Sequence, residues 1–213
     1  MRIILGAGLK VTQTCDLFNI NDEIAQFYEK PRYPNETKYG KPVADVIYDP
    51  TEKYVVTDMH GDCREKRNAV KKFTSEALER GIEFAFGQLH HHLALFVEPN
   101  LLGEGTIIRP YSIICSHTKL GNHVDIGNLS NIAHHCNIGD YSIIAGHVAM
   151  SGEVTLGEGV FIGQGAAIKP KITISEGSVV GTGAVVVKDV PPNTVVAGNP
   201  AKPNPKFKAV TPW

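Results

Sequence analysis

The sequence predicts a parallel β-helix built of hexapeptides and preceded by a small α/β unit. Three observations predict it. From Leu102 to Val186 an apolar residue stands at every sixth position without a break, through Ile108, Ile114, Leu120, Ile126, Ile132, Ile138, Ile144, Met150, Leu156, Ile162, Ile168, Ile174 and Val180. Four residues after each comes a small or β-branched one, from Thr106 and Ser112 to Ala184 and Val190. A longer period of eighteen is laid over the six, with Leu102-Gly103, Leu120-Gly121, Ile138-Gly139, Leu156-Gly157 and Ile174-Ser175 opening successive coils. No helical pattern repeats at six; a prism with three flat sides per coil does.

Taken in order, the chain divides into an α/β unit over residues 1–97, the β-helix over 98–190 and a tail over 191–213. Arg2-Ile3-Ile4-Leu5 reads as a short strand entering Gly6-Ala7-Gly8, a turn whose glycines let backbone approach a phosphate. Residues 31–42, with Pro31, Pro34, Gly40 and Pro42, read as loop. Tyr54-Val55-Val56-Thr57 is a second strand. Asp62 can cap a helix running to Arg80, with Val70, Phe73, Ala77 and Leu78 on its apolar face and Gly81 as its stop. Ile82 to Phe86 is a third strand. Strand, helix, strand in that order implies a small parallel sheet. His90-His91-His92 reads as a surface or linker feature just before the coils, since three adjacent histidines on a strand cannot face one metal. Pro191-Pro192-Asn193 and Gly198-Asn199-Pro200 are turn chemistry that ends the repeat.

Composition narrows the partners. A formal net charge of −1 argues against nucleic acid or an anionic membrane, both of which select a basic surface. No apolar run reaches the ~18 residues that span a bilayer, and no secretory signal layout opens the chain. Cys15, Cys63, Cys115 and Cys136 form no CxxC pair, which points to reduced thiols and a cytoplasmic protein. Cys136 falls on an inward position and reads as core.

The chemistry lies in His117, His123, His134, His135 and His147. A residue eighteen away sits one coil up or down, so His117, His135 and Glu153 form a vertical ladder on one corner, with His134 beside it between Ser116 and Gly152. These positions face outward, which sets aside a packed core histidine as the explanation. The column Glu104, Asn122, Asp140, Glu158, Glu176 reads as a solvated acidic edge. No two of the five histidines are five apart, the offset expected of a zinc-dependent carbonic anhydrase on this fold, and no metal site is expected.

Two stretches carry a family resemblance. Ile132-Ala133-His134-His135-Cys136-Asn137-Ile138-Gly139-Asp140-Tyr141, followed by Met150-Ser151-Gly152-Glu153-Val154, resembles the bacterial nucleotide-sugar N-acetyltransferases and sialic acid O-acetyltransferases. Val180-Gly181-Thr182-Gly183-Ala184 through Pro191, then Ala197-Gly198-Asn199-Pro200-Ala201-Lys202, is similar to the ending shared by hexapeptide acyltransferases that use acyl-CoA. The resemblance implies a left-handed β-helix, a Rossmann-like sugar-nucleotide domain at the N-terminus, and a homotrimer with acetyl-CoA bound between subunits. It implies acetyl transfer to the amino group of a nucleotide-linked deoxyamino sugar, for surface glycan synthesis. O-acetylation of sialic acid or another sugar hydroxyl is the alternative, and a non-catalytic trimeric binding protein is a more distant one.

Position by position, His134 matches the general base, and a neutral imidazole with a reference pKa of ~6.5 suits that task. The Gly152 N–H, one coil above His134, is the candidate donor to the developing oxyanion, since glycine permits close approach. Ile143, Gln164 and Thr182 match positions lining the acetyl-CoA site; relatives carry a histidine at 143, so that contact is either lost here or replaced, with His147 the candidate. Gly8, Leu9 and Lys10 match the sugar-nucleotide loop, with Glu29 and Lys30 near its second contact. The residue after the base is usually acidic and here is His135; the expectation is that Glu153, one coil above, supplies the missing charge through it.

Overall fold

The computed structural model describes residues 2–3, 37–38, 41–42, 53–55, 63–79, 81 and 85–207. It separates into two compact units, Met1–Gln88 and Leu89–Trp213.

The first unit holds a parallel sheet of β1 (Arg2–Ile3), β4 (Lys53–Val55) and β5 (Ala85–Phe86), joined in that order. The helix α1 (Cys63–Glu79) connects β4 to β5, the crossover that two parallel neighbours require. Val70, Phe73 and Ala77 recur at helical spacing and are buried, and the Phe73 ring meets Phe86 of β5 at 5.9 Å. Leu78, expected on that face, is 69% exposed, because it falls one residue past Ala77 and so about 100° around the helix. Gly81, at φ 67°, donates its N–H to Leu78 O and stops the helix, as the sequence predicts. Within the stretch read as loop, β2 (Thr37–Lys38) and β3 (Lys41–Pro42) pair antiparallel. Residues 82–84 and Asp62 lie outside the described residues.

The second unit is a left-handed parallel β-helix of about six turns. Its first sheet stacks Leu89–His90, Ile107–Ile108, Asp125–Ile126, Ile143–Ile144, Phe161–Ile162, Val179–Val180 and Val195–Ala197, and ends in an antiparallel strand, Lys202–Pro203. The second stacks strands from Leu95–Phe96 to Val185–Val186, and the third those from Leu101–Leu102 to Thr173–Ile174. The register is eighteen, as in Ile113↔Asn131 and Asn137↔Thr155. It is still eighteen at Ile168↔Val186 but sixteen at the Ile174↔Val190 bridge and at Val179↔Val195, so two residues are lost from the hexads between Val186 and Val190, just before Pro191-Pro192.

The six-residue pattern is the core. From Ile108 onward every aliphatic of the repeat is buried, and Leu102 packs against the cluster half-buried. Truncating one of these side chains, such as Ile162, to alanine should cost about 2–5 kcal/mol. The small residues four places on turn the corners from inside, and their hydroxyls saturate the backbone there. Ser130 Oγ donates to Ala145 O at 2.8 Å and accepts from Val148 N–H at 3.1 Å; Ser142 does the same with Gly157 O and Val160 N–H. A buried hydroxyl is tolerated because both its capacities are used.

Two readings of the sequence change here. The coils begin at Leu89–His90, so the histidine run lies within the first coil. His90 packs against Phe96 at 5.2 Å, and His91 is buried with its Nδ1 accepting from Leu93 N–H at 3.1 Å. The acidic column is also more than a solvated edge: Asn122 Oδ1 accepts from Glu104 N–H, and Asp140 Oδ1 from Asn122 N–H. Among the described residues no helix is long and apolar enough to cross a membrane.

Candidate active site

Each corner of the prism needs one residue in the left-handed region, because the chain must turn sharply between two-residue strands. Glycine fills it at Gly105, Gly159, Gly165, Gly177 and Gly183; elsewhere in the hexads side-chain-bearing residues do. Histidine, asparagine and aspartate are enriched there several-fold among non-glycine residues. His117 (φ 61°), His123 (56°), His135 (59°) and His147 (60°) all occupy such positions; His123, expected to face outward, is instead buried, its ring stacked on Tyr141. Four of the five coil histidines therefore have a backbone reason to be where they are. His134 precedes the left-handed residue and has none.

The corner between the second and third sheets brings the histidines together. His134 and His135 are both exposed and their Nδ1 atoms lie 3.1 Å apart, the rings crossing at 84°. One coil below, His117 stacks on His135 at 4.8 Å with planes 9° apart. One coil above, Gly152 lies against the His134 ring: a Cβ added there would meet Cε1 at 2.6 Å and Nε2 at 2.8 Å. Glycine at 152 is thus what lets the imidazole lie down on the coil above. The backbone holds the ladder in place, with His135 N–H donating to Ser116 O, Glu153 N–H to His134 O and Lys171 N–H to Gly152 O. Neither His134 Nε2 nor the Gly152 N–H has a hydrogen-bond partner among the described residues.

Glu153 sits one coil above His135 as the eighteen-residue offset requires, and pairs with Lys171 at 3.8 Å. Lys171 is the residue the sequence reading missed, although the same offset, applied once more, points to it. Both partners are exposed, so the pair is worth under about 1 kcal/mol. Beneath the corner Cys136 is core as expected, its thiol pushed up by burial and donating to Ser151 O at 3.3 Å. A buried thiol of that kind is unreactive.

Among the described residues, the other predicted site residues do not join this cluster within the chain. Ile143 is buried on its strand in the first sheet. His147, Gln164 and Thr182 are exposed at the corner between the first and second sheets, a full side of the prism away from His134, with Gln164 and Thr182 in register one coil apart. Gly8, Leu9, Lys10, Glu29 and Lys30 lie outside the described residues. Among the described residues no group of three or more His, Cys, Asp and Glu could hold a metal ion.

No protein-family model matches the chain, and no curated protein matches it. Solved structures do. Perosamine N-acetyltransferase from Caulobacter crescentus, crystallised with CoA and GDP-perosamine as variants with one histidine replaced by asparagine or alanine, is 25% identical, with a TM-score of 0.80 over 95% of this chain and 96% of that one. WeeI from Acinetobacter baumannii AYE is 25% identical, with a TM-score of 0.80 over 96% and 99%. The acetyltransferase domain of PglB from Neisseria gonorrhoeae, solved with acetyl coenzyme A, is similar in fold at 24% identity and a TM-score of 0.79, over 95% and 98%.

Proposed function

We propose that this chain, a hexapeptide-repeat acyltransferase of left-handed β-helix fold, transfers the acetyl group of acetyl-CoA to an amino group on a nucleotide-linked deoxyamino sugar for surface glycan synthesis. The observation that carries the reading is His134. Among His117, His123, His134, His135 and His147 it alone is not called for by the backbone, and it is exposed, held at Nδ1 and laid over a glycine. Further support comes from a likeness that extends over nearly the full length of a sugar N-acetyltransferase solved with CoA and a nucleotide sugar.

In this mechanism the sugar nitrogen attacks the thioester carbonyl carbon and a C–N bond forms. His134 Nε2 takes the proton the nitrogen sheds, and the Gly152 N–H faces the carbonyl oxygen as it gains negative charge. The C–S bond then breaks, and the proton on Nε2 passes to sulfur, giving the amide and the CoA thiol. His135 makes the amine the better-matched acceptor. A neutral neighbour strengthens the base less than a carboxylate would, and an amine asks less of its base than a sugar hydroxyl.

The remaining assignments follow from the same reading. Ile143, His147, Gln164 and Thr182 line the acetyl-CoA site, while Gly8, Leu9, Lys10, Glu29 and Lys30 contact the sugar nucleotide, with the unit Met1–Gln88 as its domain. The His134 corner and the cofactor residues lie on different corners of one chain, which suits a homotrimer with the site completed between neighbours. The exposed apolar column Leu93, Tyr111, Leu129 on the cofactor corner favours a face that another subunit covers. The enzyme works in the cytoplasm, where acetyl-CoA and sugar nucleotides are made.

The test is thiol release from acetyl-CoA against a panel of amino-sugar and hydroxyl-sugar nucleotides. Turnover is expected on an amino sugar, falling at least about 100-fold in His134→Ala. Turnover confined to hydroxyl sugars would make the protein an O-acetyltransferase. Acetyl-CoA binding without turnover of any acceptor would favour a binding protein.

A further inference from the structure

The contact between His134 and His135 constrains the protons on both rings. Two imidazole nitrogens 3.1 Å apart share one hydrogen: two facing lone pairs repel, and so do two facing N–H groups. In the neutral pair one ring therefore donates from Nδ1 and the other accepts at Nδ1. If His135 donates, the proton of His134 sits on Nε2, and that nitrogen has no lone pair to offer. If His134 donates, its Nε2 lone pair is free beside Gly152.

We propose that His135 is a positioning residue, a neutral acceptor that takes the Nδ1–H of His134 and so keeps the Nε2 lone pair of His134 turned to the reacting atoms. This rests on the reading of His134 as the base. His117 fixes the acceptor. It stacks on one face of His135 at 4.8 Å with planes 9° apart, and both residues leave the backbone in the same left-handed conformation, so the two rings are stacked in register. Held in that plane, His135 meets His134 at 84°, nitrogen to nitrogen and not face to face. When His134 accepts the substrate proton, its Nδ1–H becomes a charged donor to a neutral acceptor, a stronger bond than the one it replaces. The arrangement does not require Glu153. Its carboxylate faces Lys171, which balances its charge on the far side of the ladder.

The tautomers can be read directly in the full-length protein labelled with 15N-histidine, at a pH where the rings are neutral. Resonances are assigned by their loss in His134→Gln and His135→Gln. His134 is expected to carry its proton on Nδ1 and His135 on Nε2, and in His135→Ala the His134 ring should revert to the Nε2–H form that free histidine prefers. A native His134 protonated on Nε2 overturns the proposal. In turnover, His135→Ala should lower kcat on the order of tenfold to a hundredfold, a part of the 10²–10⁴ a base contributes, with the KM for acetyl-CoA unchanged. His135→Asn, whose Oδ1 can accept the same hydrogen bond, should recover most of the loss and serves as the folded control. Full kcat in His135→Ala also overturns the proposal. Full activity in His134→Ala instead removes the functional reading and leaves the tautomer measurement to decide the hydrogen bond by itself.

Discussion

Two corners of the same coils use the same turn and do different things with it. At the corner between the first and second sheets, His147 occupies the left-handed position with Leu129 one coil below and Gly165 one coil above. At the corner between the second and third, His135 occupies the equivalent position, but it stacks on His117 and follows a second histidine. The turn explains His147 and His135 alike. It does not explain His134, nor the glycine above it that makes room for its ring. A functional residue on a repetitive scaffold shows itself as a departure from what the scaffold would place there.

That contrast can be broken most sharply at Gly152. In Gly152→Ala the new Cβ would fall 2.6 Å from His134 Cε1, and the imidazole, as the more mobile partner, must move. A displacement near 1 Å can reduce a rate about 100-fold. A loss of kcat of that order with an unchanged melting temperature is expected; an unchanged kcat would mean that the ring does not work from its place over Gly152. The opposite corner should respond weakly and in a different parameter. His147→Ala is expected to raise the KM for acetyl-CoA about fivefold, the worth of one hydrogen bond, and to leave kcat alone. A fall in kcat there would erase the distinction between the corners.

The smallest effect separates both corners from a histidine inside the first coil. Burial against Phe96 lowers the His90 pKa from 6.5, so the folded protein binds this proton less readily than the unfolded chain. Stability should be unaffected well above pH 6.5 and should decline as the pH falls from there toward the folded pKa. Denaturant midpoints measured across that range should flatten in His90→Phe relative to the native protein. An unaltered slope would show that His90 does not carry the acid sensitivity.

The coils were legible because their code is short: one inward residue per six and one small corner residue four places on are needed wherever a solenoid has a packed interior. The same arithmetic brought Glu153 above His135 and Gly152 above His134. It could not say which way a side chain points. An offset of eighteen fixes the Cα neighbours, while rotamers decide that His135 turns to His134 and Glu153 to Lys171. The histidine run misled for a related reason. Adjacent identical residues read as surface, yet His90 closes a strand while His91, just past it, is buried and turns back to accept from the backbone at Leu93. Leu78 misled by a single step around the helix.

The reversal at the end of the first sheet bears on how the molecule avoids stacking end to end on copies of itself. A stack of parallel coils has no geometric reason to stop, and a second molecule could in principle add its first coil to the last one of its neighbour. Here the closing strand, Lys202–Pro203, runs against the others and ends on a residue with no N–H to offer. Val185, in the last strand of the second sheet, has its N–H bonded to Gly198 O and its carbonyl to Ala201 N–H, both from the same closing segment. The segment acts as a chain terminator, turning an architecture suited to open-ended filaments into a particle of fixed length.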